Sequence, residues 1–497
     1  MLKSILRSKV YDVAERTPLS SAKKLSTALG HSIFLKREDL QPVFSFKIRG
    51  AYNKIAHLSP EQREKGVMCA SAGNHGQGVA LSAQRLGCRA YIVMPETTPQ
   101  IKVDAVKRLG AEVILSGDSY SDAYEEAMAV SQRTGAVMIH PFDDPLVIAG
   151  QGTVGKEIFE DCPQLDVVFV PIGGGGLAAG VASYLKEVAP EVKVIGVEPL
   201  DSDAMSKSIE VGSRVNLDQV GIFADGVAVR KVGELTFDLC QELLDGIIKV
   251  STDDIASAIS DIYQETRAIM EPAGALSLAG LKAYVAESSH KGQTLVAINS
   301  GANMNFQRLM FVAERASTGA GQEALLAIRL DERPGTLKTL CRVMAGRSFT
   351  EFNYRKSHHE EAHIFAGIGI SQAGEHDSLL GDLKEAGYAY HDLTGNEFAK
   401  GHLRHMVGGP SPLVTRERLI HFSFPERPGA LGEFLDKTSD RWNISLFHYR
   451  SHGADFGRVL IGFEVDEKEE KTFLGFLEMV GFPYADETNN PAVKLFL

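Results

Sequence analysis

Residues 167–180 read VVFVPIGGGGLAAG, and this stretch decides the fold of the N-terminal part of the chain. A short run of consecutive apolar residues is typical of a strand buried on both faces of a parallel sheet. Four glycines follow at 173–176, and a helical pattern begins near Leu177. Because glycine loses much conformational freedom on folding, four in a row indicate a backbone that wraps closely around something. A strand, a glycine loop and a helix N-terminus together favour a phosphate-binding cradle, with a tight packing turn as the alternative.

Similar apolar runs alternate with helical segments along this part of the chain. This alternation predicts an α/β architecture with doubly wound parallel sheets, in which ligands bind at the carboxyl ends of the strands. The glycine loop is not GxGxxG, and no Walker lysine or serine follows it, so dinucleotides and nucleoside triphosphates are poor candidates. The other predicted strands are at 89–94, 112–115, 136–139, 192–197 and 295–298.

The composition excludes several classes of protein. The chain has 497 residues, of which 44% are hydrophobic and 23% charged, as in an ordinary soluble globular protein. Its net charge of −12 gives no basic surface for nucleic acid or an anionic membrane, and no apolar run reaches membrane-spanning length. The N-terminus lacks a secretory h-region, and its Asp12 and Glu15 argue against a transit peptide. The five scattered cysteines lack metal-ligand spacing, so we expect a cytoplasmic protein without a metal site.

The C-terminal part follows a different pattern and contains an internal repeat. Its predicted elements run strand, helix, strand, strand, helix, strand, and then do so again, which is the ferredoxin-like βαββαβ arrangement. ERPG occurs at 332–335 and at 426–429, while FNYR at 352–355 corresponds to FHYR at 447–450. Matching motifs in matching positions indicate two copies of one domain. We therefore predict an α/β region of two subdomains at 1–318 and ferredoxin-like domains at 323–396 and 418–490.

The stretch FSFKIRGAYNKI, residues 44–55, places a lysine among aromatic and aliphatic residues. The residues after it begin a helical pattern with Ser45 as the predicted N-cap, so Lys47 falls in the first turn of a helix. Burial and the positive potential of a helix N-terminus both lower the pKa of an amine. A neutral amine suits Schiff-base chemistry. The alternative is a surface lysine whose stem covers apolar residues.

Three further motifs carry polar groups to the ends of strands and helices. SAGNHGQG, from Ser71, offers backbone N–H groups and an asparagine to a carboxylate. VAINSGANMNF places the hydroxyl of Ser300 just after an apolar strand, and EPAGALSLAG, from Glu271, begins a helix. Taken singly, a capped helix, a turn serine and helix packing explain these motifs. An amine, a phosphate cradle, a carboxylate seat and a hydroxyl together fit pyridoxal 5′-phosphate (PLP), which needs a lysine, a phosphate site and a partner for its ring nitrogen.

On these motifs the chain resembles the biosynthetic threonine dehydratases (threonine ammonia-lyases), which are members of the tryptophan-synthase-β-like PLP enzymes. SFKIRGAYNKI, SAGNHGQGVA, GGGGLAAG, EPAGALSLAG and SGANMNF resemble the catalytic half of that family. The paired ERPG motifs, with TEFNYR and SLFHYRSHG, resemble its ACT-like regulatory half. The resemblance covers essentially the whole chain. It implies deamination of L-threonine to 2-oxobutanoate and ammonia, with isoleucine as inhibitor and valine as activator, in a homotetramer.

The resemblance also implies roles for individual residues. Lys47 would carry PLP covalently and act as the base, Asn74 would contact the ring hydroxyl, and Ser300 would face the ring nitrogen. Tyr354 and Tyr449, one in each repeat, would contact the effectors. The phosphate would be held by Gly173, Gly174, Gly175, Gly176 and Leu177. The substrate carboxylate would be received by Ser71, Ala72, Gly73, Asn74 and His75.

Two kinds of alternative stay open. Another PLP enzyme of the same fold, such as a serine/threonine dehydratase, would share the catalytic motifs, although the catabolic dehydratases lack the double regulatory repeat. A non-catalytic amino-acid sensor would keep the repeats and lose the chemistry, and the intact motif around Lys47 argues against it. Serine racemases carry a serine as their second base at the position of Ala72, which disfavours racemisation here.

Overall fold

The chain divides into two compact units, Met1–Ala316 and Ser317–Leu497. The structure is a computed structural model that describes residues 1–331, 336–344, 347–354, 361–372, 374–405, 414, 416–425, 442, 444–450 and 456–497. Both ERPG turns and the helix predicted at 430–439 lie outside these described residues. Within the described part, no helix combines the length and the apolar character needed to cross a membrane.

The strands of the first unit are short, as expected for strands that alternate with helices. The predicted runs at 89–94, 112–115, 136–139, 167–170, 192–197 and 295–298 all contain strands. Four further strands come from segments that the apolar-run criterion missed. The strands are β1 Leu19–Ser21, β2 Ser32–Arg37, β3 Val67–Ala70, β4 Ala90–Met94, β5 Glu112–Leu115, β6 Val137–Met138, β7 Val167–Pro171, β8 Lys193–Pro199, β9 Gly246–Val250 and β10 Thr294–Asn299.

These strands form two sheets. The smaller sheet has the order β5-β4-β3-β6 and is parallel throughout. The larger sheet has the order β1-β2-β10-β7-β8-β9. Its strands are parallel except β1, which pairs with β2 in the antiparallel direction at one edge. The prediction of doubly wound parallel sheets is therefore confirmed, with this one antiparallel edge strand as the difference.

Helices cover both faces of the larger sheet. Val168 and Val170 of β7 pack into one hydrophobic core, while Val167 and Phe169 pack into another on the opposite face. Because both faces are buried, β7 is a continuous apolar run rather than an alternating one. The helices of this part are α1 Leu2–Leu6, α2 Lys23–Leu29, α3 Lys47–Ala56, α4 Pro60–Lys65, α5 Asn74–Leu86, α6 Gln100–Arg108, α7 Tyr120–Thr134, α8 Pro145–Asp161, α9 Gly176–Val188, α10 Ala204–Val211, α11 Glu234–Leu243, α12 Thr252–Thr266, α13 Pro272–Glu287 and α14 Arg308–Gly319.

The second unit contains the two predicted ferredoxin-like domains. Its first domain has β11 Glu323–Asp331, α15 Thr336–Val343, β12 Phe349–Tyr354, β13 Glu361–Gly369, α16 Glu375–Glu385 and β14 Tyr390–Asp392, followed by α17 Glu397–Gly401. Its second domain has β15 Glu417–Pro425, β16 Ile444–Arg450, β17 Phe456–Glu464, α18 Glu470–Val480 and β18 Tyr484–Asp486, followed by α19 Pro491–Phe496.

The two domains repeat each other in strand order. The orders are β12-β13-β11-β14 and β16-β17-β15-β18, so corresponding strands occupy corresponding places. The register shifts once near the start of each of the edge strands β12 and β16. Tyr354 pairs with Ile364 near the end of β12, and Tyr449 pairs with Val459 near the end of β16. The ferredoxin-like part of the fold prediction is confirmed.

A cluster of four buried charges holds the first unit together around α3. The guanidinium of Arg49 lies 2.7 Å from an oxygen of Glu38 and 2.6 Å from an oxygen of Glu157. The ammonium of Lys36 lies 2.6 Å from the other oxygen of Glu157. All four side chains are 0% exposed. Because the two positive and two negative charges balance, the cluster joins β2, α3 and α8 without leaving a net charge away from water.

We expect Arg49→Ala to destabilise the first unit by about 3–5 kcal/mol, since the change leaves buried carboxylates without their partner. The measurement is hydrogen-exchange mass spectrometry of α3 peptides across a urea series. Fluorescence does not serve here, because the single tryptophan, Trp442, belongs to the second unit. The control is Arg16→Ala, whose 47% exposed side chain pairs with Glu160 and should contribute about 0–1 kcal/mol. Equal urea midpoints for the two variants would contradict the importance of the cluster.

Candidate active site

Lys47 begins α3, as the sequence predicts, but the cap differs. Phe46, not Ser45, occupies the N-cap position and has helical backbone angles. Ser45 is instead held in an antiparallel bridge with Gly301, and its buried hydroxyl accepts a 3.4 Å hydrogen bond from the N–H of Lys47. The Ser45 hydroxyl therefore still satisfies one free N–H of the helix start, from one position earlier.

The side chain of Lys47 is partly buried, and its nearest partners are a backbone carbonyl and an aromatic ring. Its Nζ donates a 3.0 Å hydrogen bond to the carbonyl of Pro141 and lies 5.4 Å from the centre of the Phe46 ring. Burial lowers the pKa of Lys47 to about 8, although the nearby carboxyl of Glu271 acts in the opposite direction. A substantial fraction of this amine is therefore neutral in mildly alkaline solution, as a nucleophilic amine must be.

The segment that precedes Lys47 is joined to the segment that follows β10. The N–H of Phe46 donates to the carbonyl of Ser300 at 3.2 Å, and the N–H of Ala302 donates to the carbonyl of Phe44 at 2.9 Å. The Ser300 hydroxyl is buried and donates to the carbonyl of Ala273 at 3.2 Å. The backbone therefore brings the predicted Lys47 and Ser300 sites together, although they are far apart in sequence.

The glycine loop lies between β7 and α9, which begins at Gly176. A Cβ built on Gly174 would lie 2.2 Å from the ring of Phe142, and one on Gly173 would lie 2.9 Å from the Cα of Val227. Gly175 has a φ of +93°, which L side chains rarely adopt. These glycines are therefore required by close packing. The first N–H groups of α9 have no partner within the helix and are available to an anion.

The SAGNH segment connects β3 to α5 and lies beside Lys47. A Cβ built on Gly78 of α5 would be 3.3 Å from the backbone of Lys47, so the two helices approach closely at this end. A Cβ built on Gly73 would meet no atom within 4 Å, so the loop has an open side. The ring of His75 is buried, and its Nε2 bonds the carbonyl of Ile139 at 2.8 Å. Burial lowers the pKa of His75 to about 3, which keeps the imidazole neutral.

Two residues without a predicted role lie against Asn74. Its Nδ2 donates a 2.5 Å hydrogen bond to Oε1 of Glu271, and its Oδ1 accepts a 2.6 Å hydrogen bond from Nδ2 of Asn303. The motifs predict only a helix start at Glu271 and no role for Asn303, although both residues belong to quoted motifs. Neither contact could be read from those motifs, because the partners are 197 and 229 positions apart in the chain.

The pKa of Glu271 is shifted by burial and by the charged groups around it. Burial raises the pKa of its carboxyl to about 7, and the negative charge of Asp225 raises it further, while the hydrogen bond from Asn74 acts in the opposite direction. Asp225 is itself paired with Lys102 at 2.9 Å and with Arg308 at 3.1 Å. Since Lys102 belongs to α6, beside the smaller sheet, this ion pair also connects the two halves of the first unit.

Two sequence profiles match the chain. The profile of the pyridoxal-phosphate-dependent enzymes matches residues 10–301. The profile of the C-terminal regulatory domain of threonine dehydratase matches residues 314–403 and 411–497. The chain belongs to the threonine dehydratase family of PLP-dependent enzymes.

Relatives within the threonine dehydratase family are similar over the whole chain. The biosynthetic L-threonine dehydratase of Burkholderia multivorans is 52% identical over 500 residues, which cover 100% of this chain and 99% of that protein. The biosynthetic, chloroplastic threonine dehydratase 1 of Solanum lycopersicum is 53% identical over 498 residues, covering 100% and 82% of the two chains. The family prediction is therefore confirmed.

Solved structures are similar to this chain over nearly two thirds of its length. The processed form of threonine deaminase isoform 2 from Solanum lycopersicum has a TM-score of 0.63 and 53% identity, over 64% of this chain and 87% of that one. Maize serine racemase has a TM-score of 0.60 and 34% identity, over 63% and 96%. The α/β fold is thus shared with a threonine deaminase and with a serine racemase.

The cofactor of the threonine dehydratase family is PLP, and the chemistry of this site fits it. A PLP enzyme needs an amine, a phosphate site and a partner for the ring nitrogen. The Lys47 amine bonds the carbonyl of Pro141, and the next residue, Phe142, lies against the glycine loop that leads into α9. The segment before Lys47 is bonded to the backbone of Ser300, whose hydroxyl is buried. Among the described residues, no cluster of three or more His, Cys, Asp or Glu side chains could hold a metal ion.

We expect Gly174→Ala to weaken PLP binding, because the added Cβ would collide with the Phe142 ring and displace the loop. Overpacking of this kind costs about 1–3 kcal/mol, so the affinity should fall about fivefold or more. The measurement is PLP retained after dialysis, followed by a fluorescence titration. Gly381→Ala is the control, since a Cβ built there meets no atom within 4 Å. Equal affinity in both variants would show that this loop tolerates displacement.

Proposed function

We propose that this chain catalyses the PLP-dependent deamination of L-threonine to 2-oxobutanoate and ammonia, the first step of isoleucine biosynthesis. The observation that carries the proposal is the partly buried amine of Lys47, at the start of α3, with its pKa lowered to about 8. The similarity to biosynthetic threonine dehydratases over 100% of the chain supports the choice of substrate.

Bound PLP supplies an electron-withdrawing ring that makes the α-hydrogen of a linked amino acid acidic. Lys47 would hold the cofactor covalently and, once the substrate amine has displaced it, accept the α-proton at Nζ. Proton acceptance needs the neutral amine, which the lowered pKa of Lys47 provides. The hydroxyl of Ser300, once turned from the carbonyl of Ala273, would donate to the ring nitrogen more weakly than an acid would. Full delocalisation of the α-carbon charge is then not favoured, which suits loss of the β-hydroxyl over transamination or racemisation.

The remaining site residues would bind the two anionic groups. Gly173, Gly174, Gly175, Gly176 and Leu177, at the N-terminus of α9, would hold the phosphate. Residues 71–75, at the N-terminus of α5, would receive the substrate carboxylate. Both assignments rest on the same physics, since the first N–H groups of a helix lack intrahelical partners and favour negative charge. The open side at Gly73 leaves room for a substrate group there.

Racemisation is the strongest alternative activity, because maize serine racemase shares 34% identity over 63% of this chain. Ala72 stands where serine racemases carry the serine that serves as second base. Alanine cannot deliver a proton to the opposite face of the α-carbon. Elimination is therefore the better proposal for this site, with serine as a slower substrate.

We expect Lys47→Ala to lower the rate of threonine deamination by about 10²–10⁴-fold or more, since the change removes the only proposed base. The measurement is the initial rate of 2-oxobutanoate formation. Borohydride reduction of the parent should attach the cofactor to the peptide that contains Lys47. The control is Lys54→Ala, in the same helix, whose ammonium pairs with Asp144 at 2.6 Å. Turnover near the parent rate in Lys47→Ala, or reduction at another lysine, would refute the assignment.

We further propose that the second unit carries the feedback control, in a cytoplasmic homotetramer. The profile of the regulatory domain covers both ferredoxin-like domains. Tyr354 and Tyr449 lie near the ends of corresponding edge strands, so each domain presents a tyrosine at the same place in its sheet. A ring and a hydroxyl suit a small amino acid with an apolar side chain. Isoleucine would inhibit there, and valine would counteract it.

We expect Tyr354→Ala and Tyr449→Ala each to raise the isoleucine concentration that halves the rate, by about fivefold or more. Coupling of this kind typically amounts to about 1–3 kcal/mol. Threonine turnover without isoleucine should stay near normal. The measurement is the initial rate against threonine at several isoleucine concentrations. Tyr484→Ala, on the exposed side of β18, is the control. Inhibition curves that superimpose on those of the parent would exclude both tyrosines as effector contacts.

A further inference from the structure

The amide of Asn74 is held at both ends. Its oxygen accepts from Asn303, and its nitrogen donates to Glu271. Reversing the amide would set two N–H groups against each other at Asn303 and two oxygens against each other at Glu271. The orientation of Asn74 is therefore fixed. An amide nitrogen carries two hydrogens, and one is used by Glu271, so a single N–H remains for a ligand.

The two partners of Asn74 are themselves fixed. Nδ2 of Asn303 also donates to the carbonyl of Val43 at 2.9 Å, which determines the orientation of that amide as well. Glu271 is 5% exposed, and its N–H donates to the carbonyl of Gly301 at 3.3 Å. A Cβ built on Gly301 would lie 2.2 Å from Oε1 of Glu271. The carboxyl can therefore reach Asn74 only because residue 301 is glycine.

Glu271 does not serve the helix at whose start it lies. It occupies the N-cap position of α13, where a polar side chain commonly accepts a hydrogen bond from the N–H of the second or third helical residue. Its side chain makes no such capping bond. Instead it extends to Asn74, at the start of a different helix, α5. A purely structural role in α13 therefore does not account for the position of this carboxyl.

We propose that Glu271 and Asn303 are positioning residues that fix the amide of Asn74, so that its remaining N–H is directed at the ring hydroxyl of the cofactor. The inference rests on the proposed role of Asn74. Val43, Asn303, Asn74 and Glu271 form one hydrogen-bonded chain from the segment before Lys47 to the start of α13. A cofactor oxygen beside Asn74 would receive one oriented donor instead of a freely rotating amide.

The test is a double-mutant cycle on the protein loaded with PLP. Glu271→Met removes the acceptor and keeps the approximate size of the side chain, whereas Glu271→Gln keeps an acceptor oxygen. We expect Glu271→Met and Asn303→Ala each to weaken PLP affinity about fivefold to tenfold and to shift the absorbance maximum. Glu271→Gln should retain most of the PLP affinity of the parent and an absorbance maximum close to that of the parent. In Asn74→Ala, adding Glu271→Met should change nothing more, because the carboxyl acts only through Asn74.

The controls separate this inference from the proposed function. Ser277→Ala, in the same helix as Glu271, removes a buried hydroxyl without a hydrogen-bond partner and should leave PLP affinity unchanged. Additive effects of Glu271→Met and Asn74→Ala, or no effect of either, would overturn the inference. A parent protein that binds PLP but does not deaminate threonine would refute the proposed function alone, since the cycle is read from cofactor affinity and absorbance.

Discussion

The position of Lys47 depends on four charges that have no contact with water. Lys36 lies on β2, Glu38 in the turn directly after it, Arg49 on α3 and Glu157 on α8. Each needs the others because an unpaired buried charge costs several kcal/mol. The pairs are satisfied only when α3, α8 and β2 meet in one arrangement. Lys47 precedes Arg49 by two residues on α3. The cluster thus fixes the helix start from which the Lys47 amine reaches into the site.

The features that could be predicted from the sequence are those with a local physical cause. β7 is recognisable because both of its faces are buried, and the glycine loop because its backbone accepts no side chain. The repeat is recognisable because its motifs recur in the same order. β2 was missed for the opposite reason, since it ends in two cations, and the buried charge of Lys36 is satisfied only by Glu157, far along the chain. A buried cation looks the same as a surface cation until its partner is known.

In the candidate active site, too, residues whose importance depends on distant partners could not be recognised from the sequence. Lys47, Asn74 and Ser300 were identified because each lies at the end of a strand or the start of a helix, where ligands of α/β proteins bind. Their roles remain proposals, but the structure brings them to one place. Glu271 and Asn303 could not be identified in this way, because their significance lies in contacts across the fold. The displacement of the helix cap from Ser45 to Phe46 has the same origin, since Ser45 is held by Gly301.

The second unit shows how two small domains can act as one body. A single hydrophobic cluster contains Leu325 and Phe365 from the first sheet together with Leu419 and Leu460 from the second. The helix after each domain contributes to it, and the Phe496 ring, at the end of α19, lies 5.8 Å from that of Phe365 in the other domain. Packed cores resist small deformations. A ligand that moves either sheet therefore strains the shared cluster. Such a ligand shifts activity only if its affinity differs between two arrangements of that cluster.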